Sequence, residues 1–134
     1  MGVRGLDALL RKMKPGMLDG TFVFCSLAPG ASIPATVNPM LTFREREGTT
    51  LVILREEAER AGLRYEFPAR LITLTVHSAL DAVGLLAAIT ARLAEAGISV
   101  NAVSAFHHDH LFVPADRADE ALALLREMSN AKHP

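Results

Sequence analysis

The 134-residue sequence has a single cysteine, a net charge of −1 and no lysine or arginine run longer than two. One thiol, Cys25, cannot form an internal disulfide. Its place in the apolar run from Phe22 to Leu27 predicts a buried, inert side chain rather than a nucleophile. Without clustered cations the chain has no electrostatic footprint for nucleic acid. No apolar run approaches the ~20 residues that span a bilayer, and no secretory hydrophobic segment opens the sequence. A reducing cytoplasm is the expected compartment. No local Ser-His-Asp or Cys-His arrangement is present, and no glycine-rich phosphate loop, since Gly84 stands alone in its loop. These absences point away from an enzyme and give no reason to expect a cofactor.

What is present is apolar. Half of the residues are hydrophobic and only 22% are charged, enough for a packed interior and a buried interface between subunits. Residues 6–13 pattern as a short amphipathic helix stopped by Lys14-Pro15-Gly16. Residues 21–27 are apolar on both alternating faces, as in a strand buried on both sides. Four residues, Pro29, Gly30, Pro34 and Pro39, then forbid a regular helix and mark a constrained loop. Residues 40–45 and 49–54 read as strands around the turn Arg46-Glu47-Gly48, where Gly48 can supply positive φ. Residues 55–61 form a charged helix with Gly62 at a left-handed cap. Residues 63–67 alternate as a half-covered strand that Pro68 is expected to close.

The second half reads more clearly. In the strand at 71–76, Ile72, Leu74 and Val76 share one face and Leu71, Thr73 and Thr75 the other. Leu86, Ile89, Leu93 and Ala96 form a helical stripe to cover the apolar face, and Gly97 stops that helix. Residues 98–106 return as a strand whose alternation slips at Ala102-Val103, predicting a bulge. Residues 111–113 form the next strand. Asp116 is expected to cap a last helix with Ala118, Ala121, Leu122, Leu125 and Met128 on one face. The expected fold is α+β: two interlocked ferredoxin-like βαββαβ units with an antiparallel sheet and helices on one face. Residues 1–68 make the first unit, which lacks its crossover helix, and residues 69–134 the second.

The junction between the strand at 71–76 and the following helix is the candidate site. A helix start leaves about four backbone N–H groups unpaired and carries about half a positive charge. With no side chain on Gly84, a carboxylate can approach the N–H groups of Val83, Gly84 and Leu85. Ser78, Asp81 and Asn101 offer acceptors for an amine, provided the strand at 98–106 lies beside the strand at 71–76; His77 stands at the mouth. The competing reading makes Ser78-Ala79-Leu80-Asp81 a capping motif and Gly84 a concession to tight helix–strand packing. His107, His108, Asp109 and His110 have metal-ligand chemistry. They read instead as a turn held by hydrogen bonds, because alternation separates His108 and His110 from His107 and Asp109 and no second ligand pair accompanies them. Arg44-Glu45-Arg46-Glu47 reads as a solvated hairpin.

The run Asp81-Ala82-Val83-Gly84-Leu85-Leu86, continued by Ala94-Glu95-Ala96-Gly97-Ile98, resembles the ACT domain. Val83 stands where many members carry proline. The whole layout, including Phe43-Arg44-Glu45-Arg46 and His108-Asp109-His110-Leu111, resembles small bacterial tandem ACT proteins related to the regulatory domains of aspartate kinases. The resemblance implies a sensor that binds a free amino acid at His77, Ser78, Leu80, Asp81, Ala82, Val83, Gly84, Leu85 and Asn101. It also implies a homo-oligomer, with a dimer expected, that regulates an enzyme or another partner; no enzyme domain is read within these residues.

Overall fold

The computed structural model describes residues 5–76 and 84–130. In chain order they form α1 (Leu6–Lys12), β1 (Pro15–Met17), β2 (Phe22–Leu27), β3 (Leu41–Glu45), β4 (Gly48–Leu54), α2 (Arg55–Ala61), β5 (Glu66–Leu74), α3 (Leu85–Glu95), β6 (Asn101–Ser104), β7 (Asp109–Pro114) and α4 (Ala118–Asn130). The fold is mixed α+β and ferredoxin-like. The chain divides into two compact units, Gly20–Ala69 and Met1–Asp19 with Arg70–Pro134. Strand β5 contributes its residues up to Ala69 to one and those from Arg70 to the other.

In Gly20–Ala69 the strand order is β3-β4-β2-β5. β2 and β4 run antiparallel in unbroken register from Phe22↔Leu54 to Leu27↔Thr49. Alternation sends Val23, Cys25 and Leu27 to one face, where they meet Leu51, Ile53 and Ala58 of α2 in a single core. The proline-bearing segment between β2 and β3 stands where a ferredoxin-like unit has its first crossover helix. It forms no helix or strand, yet buries Val37 in this core. Glu57, in the first turn of α2, holds it there: its Oε2 accepts the Asn38 backbone N–H at 2.6 Å while Oε1 accepts that of Leu54 at 3.2 Å. One carboxylate therefore satisfies an orphan donor at the helix start and pins the loop.

In the other unit the order is β1-β5-β7-β6. The core gathers Leu9, Leu10 and Met13 with Ile72, Leu74 and Val76 of the sheet side, Leu85, Ile89 and Leu93 of α3, Leu111 and Val113 of β7, and Ala121 and Leu125 of α4. All three helices thus cover one face of this sheet. α1 belongs here by packing, and the Ser129 hydroxyl of α4 donates to the Arg11 carbonyl at 3.3 Å. α3 ends as α2 does. Ile98 N–H bonds Leu93 and Gly97 N–H bonds Ala94, just as Leu63 bonds Ala58 and Gly62 bonds Glu59, with Gly97 and Gly62 left-handed. Arg117 adds a cation to the α3 terminus, donating to the Ala96 carbonyl at 2.9 Å.

Several expectations fail for local reasons. Pro68 does not end a strand; β5 runs through it. Phe22 faces Ala69 while Phe24 faces Glu66, so β5 carries an extra residue, and Phe67 there adopts φ +57°. A bulge needs no ladder N–H at that point, which is what makes proline tolerable. Residues 15–17 pair with β5 rather than acting only as a helix stop. β6 spans four residues and pairs with β7 in regular register, without the expected bulge. Asp116 sits in a 3₁₀ turn, Ala115–Arg117, that has no side-chain cap. The α3 stripe keeps Ile89 and Leu93 in the core with Leu86 and Ala96 packed against it, but Leu85, outside the expected stripe, is buried as well.

Replacing Glu57 with alanine should cost about 1–3 kcal/mol in urea unfolding, because two part-buried backbone donors lose a charged acceptor. Glu57→Gln, which keeps one acceptor oxygen, should cost less. Equal stability of Glu57→Ala and the parent would remove the pin from the account.

Candidate functional site

β5 delivers the chain to the candidate site at Thr75 and Val76. The Thr75 N–H donates to the Met13 carbonyl at 2.8 Å and its hydroxyl to the Lys14 carbonyl at 3.2 Å, while Val76 is buried in the core. The strand exit is therefore fixed on both sides. His77, Ser78, Leu80, Asp81, Ala82 and Val83 lie outside the described residues.

The structure resumes at Gly84, the N-cap of α3, with φ +102° and ψ −23°. Its carbonyl accepts the first intrahelical bond, from Ala88 at 2.9 Å. A β-carbon built on Gly84 would meet no atom of the described residues within 4 Å. The left-handed backbone is by itself a reason for glycine here, and no described residue crowds it. No side chain caps α3 and its first turn carries no acid. The first turns of α1, α2 and α4 carry Asp7, Glu56 with Glu57, and Asp119 with Glu120. Among the described residues, α3 is thus the one of these four helices with no acid in its first turn. Leu85 is 4% exposed and spent on the core, so only its backbone is available to a ligand.

Asn101 is exposed at the start of β6 and pairs with Phe112 of β7. Its expected convergence on the site required β6 to lie beside β5. Instead β7 lies between them.

The histidine-rich turn is held together internally. The Ala105 N–H bonds the His108 carbonyl at 3.0 Å, and the Ser104 hydroxyl donates to Asp109, itself buried, at 2.7 Å. His110 Nδ1 lies 2.9 Å from the Thr73 hydroxyl of β5. The His108 ring stands 6.4 Å from that of His110 and 6.3 Å from that of His107, and His108 Nδ1 is buried without a partner among the described residues. No group of three or more His, Cys, Asp or Glu among the described residues is placed to hold a metal ion. Cys25 is buried, and desolvation pushes its thiol pKa up, away from the reactive thiolate. Among the described residues no helix is long and apolar enough to cross a membrane.

Burial, aided by the neighbouring His108 and opposed by Asp109, pulls the His110 pKa below its ordinary value. The unfolded chain then binds the proton more readily than the folded one. The stability contributed by neutral His110 is complete above about pH 6.5 and is lost as pH falls through the lowered folded pKa. His110→Gln should flatten the fall of unfolding midpoint between neutral and mildly acid pH; an unchanged slope would contradict the assignment.

Comparison with known proteins completes the picture. Residues 1–70 and residues 66–127 each match a model of the ACT domain. A Vibrio cholerae protein of unknown function, described as a possible transport protein, is 45% identical, with a TM-score of 0.85 over 93% of this chain and 96% of that one. An Agrobacterium tumefaciens protein is similar at 21% identity and TM-score 0.74, covering 90% and 93% of the two chains. The regulatory subunit of aspartate kinase from Thermus flavus shares the fold at 11% identity and TM-score 0.64, over 85% of this chain and 95% of that one. No curated protein matches. With an ACT match on each half and the strand orders described above, the chain belongs to the ACT-domain family, with two such domains in tandem.

Proposed function

We propose that the chain is a non-catalytic sensor that binds a free amino acid or similar small zwitterion between β5 and α3, and that the bound form regulates a partner enzyme or another protein. The observation that carries the reading is the start of α3. Its left-handed Gly84, without a side-chain cap or a first-turn acid, presents backbone donors and partial positive charge to the segment leaving β5. A carboxylate is the ligand group that such a terminus favours. His77, Ser78, Leu80, Asp81, Ala82 and Val83 complete the proposed site in the connecting segment, and Asp81 would receive the ammonium. Asn101 remains in the proposal as a contributor from another copy, since β6 is an exposed edge strand in its own unit. The proposed assembly is a homodimer in the cytoplasm, consistent with exposed Phe43 and Phe106 and two edge strands. Signalling follows if the ligand prefers one interface arrangement over another.

A thermal-unfolding screen of the standard free amino acids at millimolar concentration tests the reading. A ligand at about 100 times its Kd should add about 2.7 kcal/mol, a midpoint rise of several degrees. Gly84→Val should lower the basal midpoint, because a branched residue at this φ is strained by about 1–3 kcal/mol, and should also abolish the ligand-dependent rise. A full response in that variant would place binding elsewhere. Light scattering coupled to size exclusion should give a dimer mass at micromolar concentration; a monomer would remove assembly from the mechanism.

A further inference from the structure

The sheet of Gly20–Ala69 has a second face, turned away from α2. Since Val23, Cys25, Leu27, Leu51 and Ile53 enter the core, alternation sends Phe24, Ser26 and Thr50 to the other side. Leu63 and Tyr65 pack against that same core, which puts Arg64 and Glu66 on the outer side too. Ser26 pairs with Thr50, and Phe24 with Glu66. Phe24, Ser26, Thr50, Arg64 and Glu66 border the same cleft of about 540 Å³, whose lining also includes Cys25 and Tyr65, within the roughly 300–1,000 Å³ usual for small-molecule sites.

Its chemistry is that of a two-ended receptor. Arg64 and Glu66 are both exposed, and neither makes an ion pair or side-chain hydrogen bond with any described residue. Two residues apart on an extended segment, they stand about 7 Å apart along the chain, opposite charges flanking a gap. A guanidinium takes a carboxylate bidentately, and a carboxylate takes an ammonium. The Ser26 hydroxyl has no partner among the described residues. The Thr50 hydroxyl donates to Glu45 at 2.6 Å, leaving its lone pairs to accept an N–H. Phe24 supplies an apolar wall, fixed edge-on against Phe67 at 5.7 Å. The bulge at Phe67 sets Glu66 opposite Phe24, the re-aiming of a side chain that such bulges provide.

We infer that this cleft is a second ligand site, taking a small zwitterion whose carboxylate sits on Arg64 and whose ammonium sits on Glu66. It uses no residue of the β5–α3 segment and stands or falls independently of that site. A free amino acid and a dipeptide share the recognised chemistry, and the test separates them.

The ¹⁵N-labelled full chain is titrated with glycine, leucine, glutamate and dialanine at millimolar concentration, with N-acetyl-leucine amide, which lacks both charges, as control. Expected are saturable amide shifts at Ser26, Thr50, Arg64 and Glu66 with at least one zwitterion and none with the control; whether leucine or dialanine saturates first identifies the class. Arg64→Gln and Glu66→Gln should each weaken that binding about tenfold or more, with unfolding midpoints unchanged because both positions are exposed. Arg64→Glu combined with Glu66→Arg should recover part of it. Shifts confined to residues around Gly84 would overturn this site while supporting the other. Equal shifts with the neutral control, or no saturable shift at these four residues, would also overturn it.

Discussion

Backbone pairing along β5 is the constraint from which the rest follows. Its first half bonds to β2 and completes the four strands of Gly20–Ala69; its second half bonds to β1 and lies beside β7 in the other unit. One strand therefore serves both units, and the bulge at Phe67-Pro68 falls within its pairing to β2, between Phe22↔Ala69 and Phe24↔Glu66. Gly20–Ala69 adapts to what its own sequence omits. Where Gly20–Ala69 has no crossover helix, Val37 fills the core and Glu57 pins the loop. In the other unit, Pro15–Met17 adds a short strand beside the second half of β5.

Elements with strong periodicity or strong punctuation were legible from the sequence. The α2 boundaries, the Gly62 and Gly97 stops and the β3–β4 hairpin follow from local chemistry, and the structure keeps them. β1 was not legible because three residues beginning with proline have no alternation to read. The passage of β5 through Pro68 was hidden because a bulge, which no periodicity announces, removes the demand for an N–H. The α3 stripe was legible except for Leu85, which enters the core at the moment the helix begins.

The candidate site was legible in part. Gly84 stood out as a residue with a special backbone, and its φ of +102° is by itself a reason for glycine there. Asn101 was misplaced by a topological assumption. Neighbours in sequence are not neighbours in this sheet, because a ferredoxin-like unit places its third strand between the first and second. The outer cleft of Gly20–Ala69 escaped for a related reason. Alternation assigned Arg64 and Glu66 to the uncovered face, but only the β2–β5 pairing reveals that Ser26 and Thr50 share it.

Phe67 holds a left-handed backbone that residues with a β-carbon disfavour, and it does so with its ring set edge-on against Phe24. The aromatic contact and the kink are thus two halves of one latch. The bulge at this residue sets Glu66 opposite Phe24 while Leu63 and Tyr65 keep facing the core. The shape of the outer cleft is consequently encoded in a residue that does not line it.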